Sequence, residues 1–207
     1  MSTNRPFGFR ECRELSGMNS PSTRRYKIAA NGRSGQFAKY KGDPVTFCSG
    51  APNDVVCVAS ADNTTSLGLL GVIRAVYSDS NGRPHPLTFN QPTNGPVLLA
   101  SVAGWVDVNI NPHQTYAVAA DVTAVANVVG NYVVCTVGAA NTAAGISGFM
   151  IKVPGLNTAT TLMNWTVIGV APSGFDVDAT IGSNEDFEVV IANHVFFPPL
   201  NTSLRSK

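Results

Sequence analysis

Residues 97–118 read VLLASVAGWVDVNINPHQTYAV, and the middle of that stretch decides the fold. Val106, Val108 and Ile110 fall on one face, while Asp107, Asn109 and Asn111 fall on the other. Apolar and polar residues that alternate in this way mark a strand with one buried and one wet face. Asn111-Pro112-His113 breaks the alternation, because proline cannot donate to a sheet ladder and asparagine enters turns readily. Gln114 to Val118 then reads as a returning strand, so the stretch is expected to be a central hairpin. Trp105 lies with the polar residues, where it either caps the edge of the core or offers an aromatic surface to a partner.

Composition points the same way. The chain has 207 residues, enough for one sizeable domain, and is 44% hydrophobic but only 13% charged. Thirteen prolines and nineteen glycines divide it into short apolar runs rich in Val, Ala and Thr, which is an all-β signature. No apolar run approaches the roughly 20 residues that span a bilayer as a helix, and the start lacks the apolar segment of a secretory signal.

Working outward, residues 67–89 carry the clearest turn. Asp79-Ser80-Asn81-Gly82 should reverse the chain, since Asn-Gly accepts the positive φ angles of a tight hairpin. Pro84 and Pro86 confine the return to a sheet edge. Strands are expected near 24–30, 36–40, 44–48, 55–59, 132–137, 149–153, 162–170 and 187–197. Residues 119–129 read ambiguously, with alanine favouring a helix and Val and Thr opposing it. The sum is an antiparallel β-sandwich or barrel-like domain over residues 24–197. An extended basic arm over 1–23 precedes it and a short tail over 198–207 follows.

Charge is distributed unevenly. Residues 1–41 carry nine Lys and Arg against only Glu11 and Glu14, a balance of +7, and the remainder balances at −6. A basic arm on an acidic body is expected to dock on something acidic. Arg5, Phe7, Phe9, Arg10, Arg13, Arg24 and Arg25 are the candidate partner-binding residues, the arginines for carboxylates and the phenylalanines for burial.

Catalytic chemistry is not legible. His85, His113 and His194 stand apart from one another and from any Cys or carboxylate at motif spacing, so no catalytic residue is assigned and an enzyme is not expected. No cofactor-binding motif is present. Asp176, Asp178, Glu185 and Asp186 could collect a hard cation, but the spacing fits no calcium loop and a solvated acidic loop is the expectation, with no metal assigned. Cys12, Cys48, Cys57 and Cys135 form no CxxC pair; reduced thiols are expected, with a Cys48–Cys57 bridge as the alternative.

The runs LGVIRAVYSDSNGRP, PVLLASVAGWVDVNINPHQTYAVAAD, NTAAGISGFMI and VIGVAPSGFDVDATIGSNEDFEVVIANHVF, across residues 67–196, resemble the head decoration (cement) proteins of tailed bacteriophages. A variant of that family's central block has an acidic Asp-Asp-Pro turn before an aromatic strand where this chain has Asn111-Pro112-His113, and the resemblance identifies no contact residue to carry over. The resemblance implies a non-enzymatic β protein on the capsid exterior of a virion. Its partner would be the major capsid protein, and it would bind as a dimer or trimer, without membrane or direct nucleic-acid contact. Another virion component (tail, fibre or shell subunit) and a carbohydrate-binding β domain are the alternatives.

Overall fold

The computed structural model describes residues 8–15, 22–30, 38–49, 55–59, 68–80, 83–86, 98, 102–121, 128–138, 140, 145, 147–152, 164–171 and 186–196. They form an all-β protein of twelve strands and, among the described residues, no helix. The strands are β1 (Arg10–Glu14), β2 (Thr23–Ile28), β3 (Pro44–Phe47), β4 (Val55–Val58), β5 (Gly71–Ser80), β6 (Arg83–Pro86), β7 (Gly104–Asn109), β8 (Gln114–Ala119), β9 (Tyr132–Val137), β10 (Phe149–Lys152), β11 (Trp165–Val170) and β12 (Asp186–Ile191).

Two six-stranded sheets result, ordered β3-β4-β2-β7-β5-β6 and β1-β8-β12-β11-β9-β10. In the first, β3 also pairs with β5, which closes β3, β4, β2, β7 and β5 into a small barrel and leaves β6 as a flap on its rim. Ser80 pairs with Arg83, so the chain does reverse around Asn81-Gly82, and the proline-bearing β6 is an edge strand. The second sheet is closed into a barrel more loosely, by a single bridge from Ile151 of β10 to Ala120 just past the end of β8.

The two closures follow one path. In the first barrel β2 pairs with β7, β7 with β5, β5 with β3 and β3 with β4, all antiparallel, and β4 returns parallel to β2. In the second β8 pairs with β12, β12 with β11, β11 with β9 and β9 with β10, and the return to Ala120 is again parallel. Details repeat as well. A bulge interrupts β5 between Ile73 and Ala75 and interrupts β11 between Val167 and Gly169. Gly42 precedes β3 at φ 93° and Gly130 precedes β9 at φ 86°, the left-handed conformation that glycine tolerates best. Gly42 donates to Ile73 O at 2.9 Å, and Gly130 to Val167 O at 2.7 Å. Ile73 and Val167 donate back to Asp43 O and Asn131 O. The protein is two barrels built on one plan.

Alternation explains the burial. Tyr26 and Ile28, Val106 and Val108, Tyr116 and Val118, and Phe187, Val189 and Ile191 point inward and are nearly dry. Trp165 is fully buried at the centre of the second barrel, edge-on to Tyr116.

Three expectations need correcting. Residues 97–118 do not make a hairpin: β7 pairs with β2 and β5, β8 with β1 and β12. The Asn111-Pro112-His113 turn therefore hands the chain from one barrel to the other. Asn109 Oδ1 accepts from the Asn111 N–H, and Asn111 Oδ1 accepts from the His113 N–H, so side chains hold the corner where a two-residue hairpin turn is absent.

The arm over 1–23 is likewise corrected for residues 8–15. β1 is an integral strand antiparallel to β8, and Phe9 is a core residue, its ring stacked 4.1 Å from Trp165. Cys48 and Cys57 are joined as a disulfide across β3 and β4, Cα atoms 5.3 Å apart, within the span such bridges need. Reduced thiols hold only for Cys12 and Cys135. Finally, the ambiguous 119–129 segment begins in β8 and the bridge at Ala120; residues 122–127 lie outside the described residues.

Candidate interaction surface

The outer face of the first barrel is built from the residues that alternate away from its core. Arg25 and Lys27 on β2 stand beside Asp107 and Trp105 on β7, with Tyr77 next on β5. Arg25 reaches across the strand and donates two parallel bonds to Asp107, from Nε at 2.7 Å and from a terminal nitrogen at 2.8 Å. Its guanidinium also lies over the Tyr77 ring, 4.4 Å from the centroid, and Tyr77 donates its hydroxyl to the same carboxylate at 2.7 Å. Those Arg25 bonds, aided by the Tyr77 hydroxyl, hold the Asp107 carboxyl below its ordinary range. Lys27 sits 5.1 Å above the Trp105 ring. Trp105 is thus half-buried beneath a cation on the outer face of the barrel.

The second barrel carries a carboxylate in the corresponding place, satisfied differently. Glu188 on β12 is buried, and Arg13 of β1 donates to both its oxygens, at 2.7 and 2.8 Å. Thr115 adds a hydroxyl bond at 2.6 Å. Burial pushes the Glu188 carboxyl up, but the bonds from Arg13 and Thr115 outweigh it and hold the group below its usual value. Between the barrels, Glu11 of β1 pairs with Arg74 at 3.0 Å and accepts from Asn109 at 2.9 Å. β1 is charged because each of its faces answers a charge on the framework.

Asp43, Lys39 and His194 are buried as well. Asp43 accepts from the Tyr40 N–H at 2.8 Å, and burial pushes its carboxyl up to about 7. Ser147 lies close enough to oppose that shift, but Asp43 Oδ1 has no hydrogen-bond partner, so burial wins. Burial lowers Lys39 to about 8, although its ammonium donates to Ala30 O and Val102 O. His194 is buried where the parallel bridge to Leu69 forms, and burial lowers its pKa too.

Comparison of the chain with family models, with curated proteins and with solved structures found no match in any of the three. Geometry alone therefore sorts the candidate residues. Arg13 and Arg25 are engaged in intrachain pairs, Phe9 is in the core, and Arg10 and Arg24 are exposed. Arg24 lies 5.4 Å over the Tyr26 ring. Arg5 and Phe7 lie outside the described residues, as do Asp176, Asp178 and Glu185 of the acidic stretch. Asp186 is a buried residue of β12. The structure does not gather the seven residues into one patch. It gathers Arg25 with Lys27, Trp105, Asp107 and Tyr77, while Arg24 alternates to the opposite face beside Tyr26; of the five gathered residues, sequence reading singled out Arg25 and Trp105. The missed signal was register: Arg25 and Asp107 read as partners only once β2 is known to lie beside β7.

Proposed function

We propose that this chain is a non-enzymatic virion structural protein that binds and stabilises the outside of a bacteriophage capsid, with the major capsid protein as partner. The observation that carries the reading is how the charged groups are used. Arg13 with Glu188, Arg25 with Asp107 and Arg74 with Glu11 each tie two strands together, and His194 is buried. These six charged side chains are spent on holding a scaffold rigid. A rigid, preformed surface loses little freedom on docking, which suits a protein that must add stability to a shell at many equivalent places. The resemblance of residues 67–196 to cement proteins supports the same reading, and attachment as a dimer or trimer accords with it.

Cosedimentation of the purified chain with emptied capsids of its virus tests the proposal. Saturable binding at a fixed ratio to capsid subunits, with a rise in the temperature at which the shells rupture, is expected. Failure to sediment with intact shells, or binding without any gain in shell stability, would overturn it.

A further inference from the structure

The two barrels share a plan, but among the described residues one strand position is filled in only one of them. In the second barrel, the leading half of β8 is covered by β1, which adds to its outer edge. The matching edge in the first barrel is the leading half of β2, because the pairing of Ile28 with Val56 corresponds to that of Ala120 with Ile151. On that scale Thr115 corresponds to Thr23 and Ala117 to Arg25. Among the described residues nothing pairs with the outer side of Thr23 or Arg25.

We infer that this edge of β2 at residues 23–25, unpaired among the described residues, is a seat for an added strand, and that its occupant is an acidic extended segment of a partner protein. The backbone is aimed for it. Ser22 O accepts from Ile110 on the β7 side, and the Ala29 N–H donates to Val56 on the β4 side. Partners alternate along a strand, so the N–H and C=O groups of Thr23 and Arg25 point away from β7, toward the open edge. Residues 23–25 are all exposed. Such an edge is a template for pairing with another chain. In the filled seat, Thr115 Oγ1 accepts from the Arg13 N–H at 3.2 Å. The open seat keeps a threonine in that position, whose hydroxyl accepts from Arg74 at 2.9 Å.

Charge selects the occupant. In the second barrel the acceptor strand offers only Thr115 and Ala117 beside Glu188, so the incoming strand must bring the cation, and β1 brings Arg13. In the first barrel Arg25 already holds the matching carboxylate, Asp107. Lys27 stands beside it on the same face and Arg24 on the opposite face of the strand, and neither forms an ion pair among the described residues. A basic strand would meet a cation where β1 met a carboxylate. An acidic strand would meet Arg24, Arg25 and Lys27. The inference stands on the two barrels and not on the capsid reading.

The test is amide hydrogen exchange by NMR on the full chain, with short synthetic peptides of alternating Glu and Val, or Lys and Val, as probes. Thr23 and Arg25 should exchange freely in the free protein and slow by at least about tenfold with the Glu peptide, as new backbone bonds form. The Lys peptide should leave them unchanged. Thr23→Pro removes one outward N–H without breaking the ladder to β7, and should abolish protection of Arg25. Should that variant fail to fold by circular dichroism, Arg24→Glu, an exposed change, carries the test and should weaken the Glu peptide about tenfold. Slow exchange of both amides before any peptide is added would overturn the inference. So would equal protection by the Lys peptide, retained binding by folded Thr23→Pro, or protection that grows with protein concentration alone, which would make the occupant a second copy.

Discussion

Replacing Asp43 by Asn should make the protein more stable at neutral pH and should remove a pH dependence that the parent carries. Asp43 is 1% exposed, and burial raises its carboxyl from 3.8 in the unfolded chain to about 7 in the fold. Below about pH 4 both states are protonated and the residue carries no penalty. As pH rises the unfolded chain ionises first, so the folded state holds the extra proton and stability falls by about 1.4 kcal/mol per pH unit. The loss is complete above about pH 7 and amounts to roughly 4 kcal/mol. Asparagine keeps an oxygen for the Tyr40 N–H, now bonded at 2.8 Å, and has no charge to desolvate. The second barrel carries Asn131 at the matching place, with the same backbone bond back to Val128 that Asp43 makes to Tyr40. Urea unfolding, followed by fluorescence of the buried Trp165, gives the stability of parent and variant between pH 4 and 8. The variant should gain on the parent steadily across pH 4–7 and hold its advantage above. Parallel curves, within about 0.5 kcal/mol of extrapolation error, would refute the reasoning and show that Asp43 is solvated or paired.

Phe9→Ala should cost about 3–5 kcal/mol, the loss typical of a buried aromatic, measured by the same titration; a cost near zero would return residues 8–15 to an arm. Titration of the denatured, unreduced chain should find two reactive thiols, Cys12 and Cys135. Reducing the Cys48–Cys57 bridge should then lower stability by about 2–4 kcal/mol. Gly71→Ala should destabilise far more than Gly130→Ala, because a Cβ at Gly71 would overlap the Asn109 carbonyl whereas none meets anything at Gly130. Gly130→Ala should cost only about 1–2 kcal/mol for its left-handed φ, and thermal melts of the two variants compare them directly.

Much of the fold was legible because sheet faces leave a period in the sequence. Val106 and Val108 against Asp107 and Asn109 located β7, and Asn81-Gly82 located the turn into β6. What periodicity does not contain is the identity of the neighbour. The turn at Asn111 announced a reversal, and only the structure shows the returning strand joining another sheet. β1 was hidden for a related reason. In Arg10-Glu11-Cys12-Arg13-Glu14 the charges that signal an exposed arm are answered by Glu188 and Arg74, residues far away in sequence. The repeat left a faint trace, since Arg25-Tyr26-Lys27-Ile28-Ala29-Ala30-Asn31 echoes Thr115-Tyr116-Ala117-Val118-Ala119-Ala120-Asp121. The pairings set the two strands two residues out of step with that echo, a slip that keeps every side chain on its face. The interaction surface was the least legible part, because Arg25, Lys27, Trp105, Asp107 and Tyr77 come together only through the order of β2, β7 and β5.

The most direct test of the whole account is a cryo-electron microscopy map of emptied capsids saturated with the purified chain. The account predicts tandem-barrel density at symmetry-equivalent positions on the outer surface, with a strand of the shell protein lying against β2 beside Thr23 and Arg25. Undecorated shells, or barrels seated through another face with the β2 edge open to solvent, would contradict it.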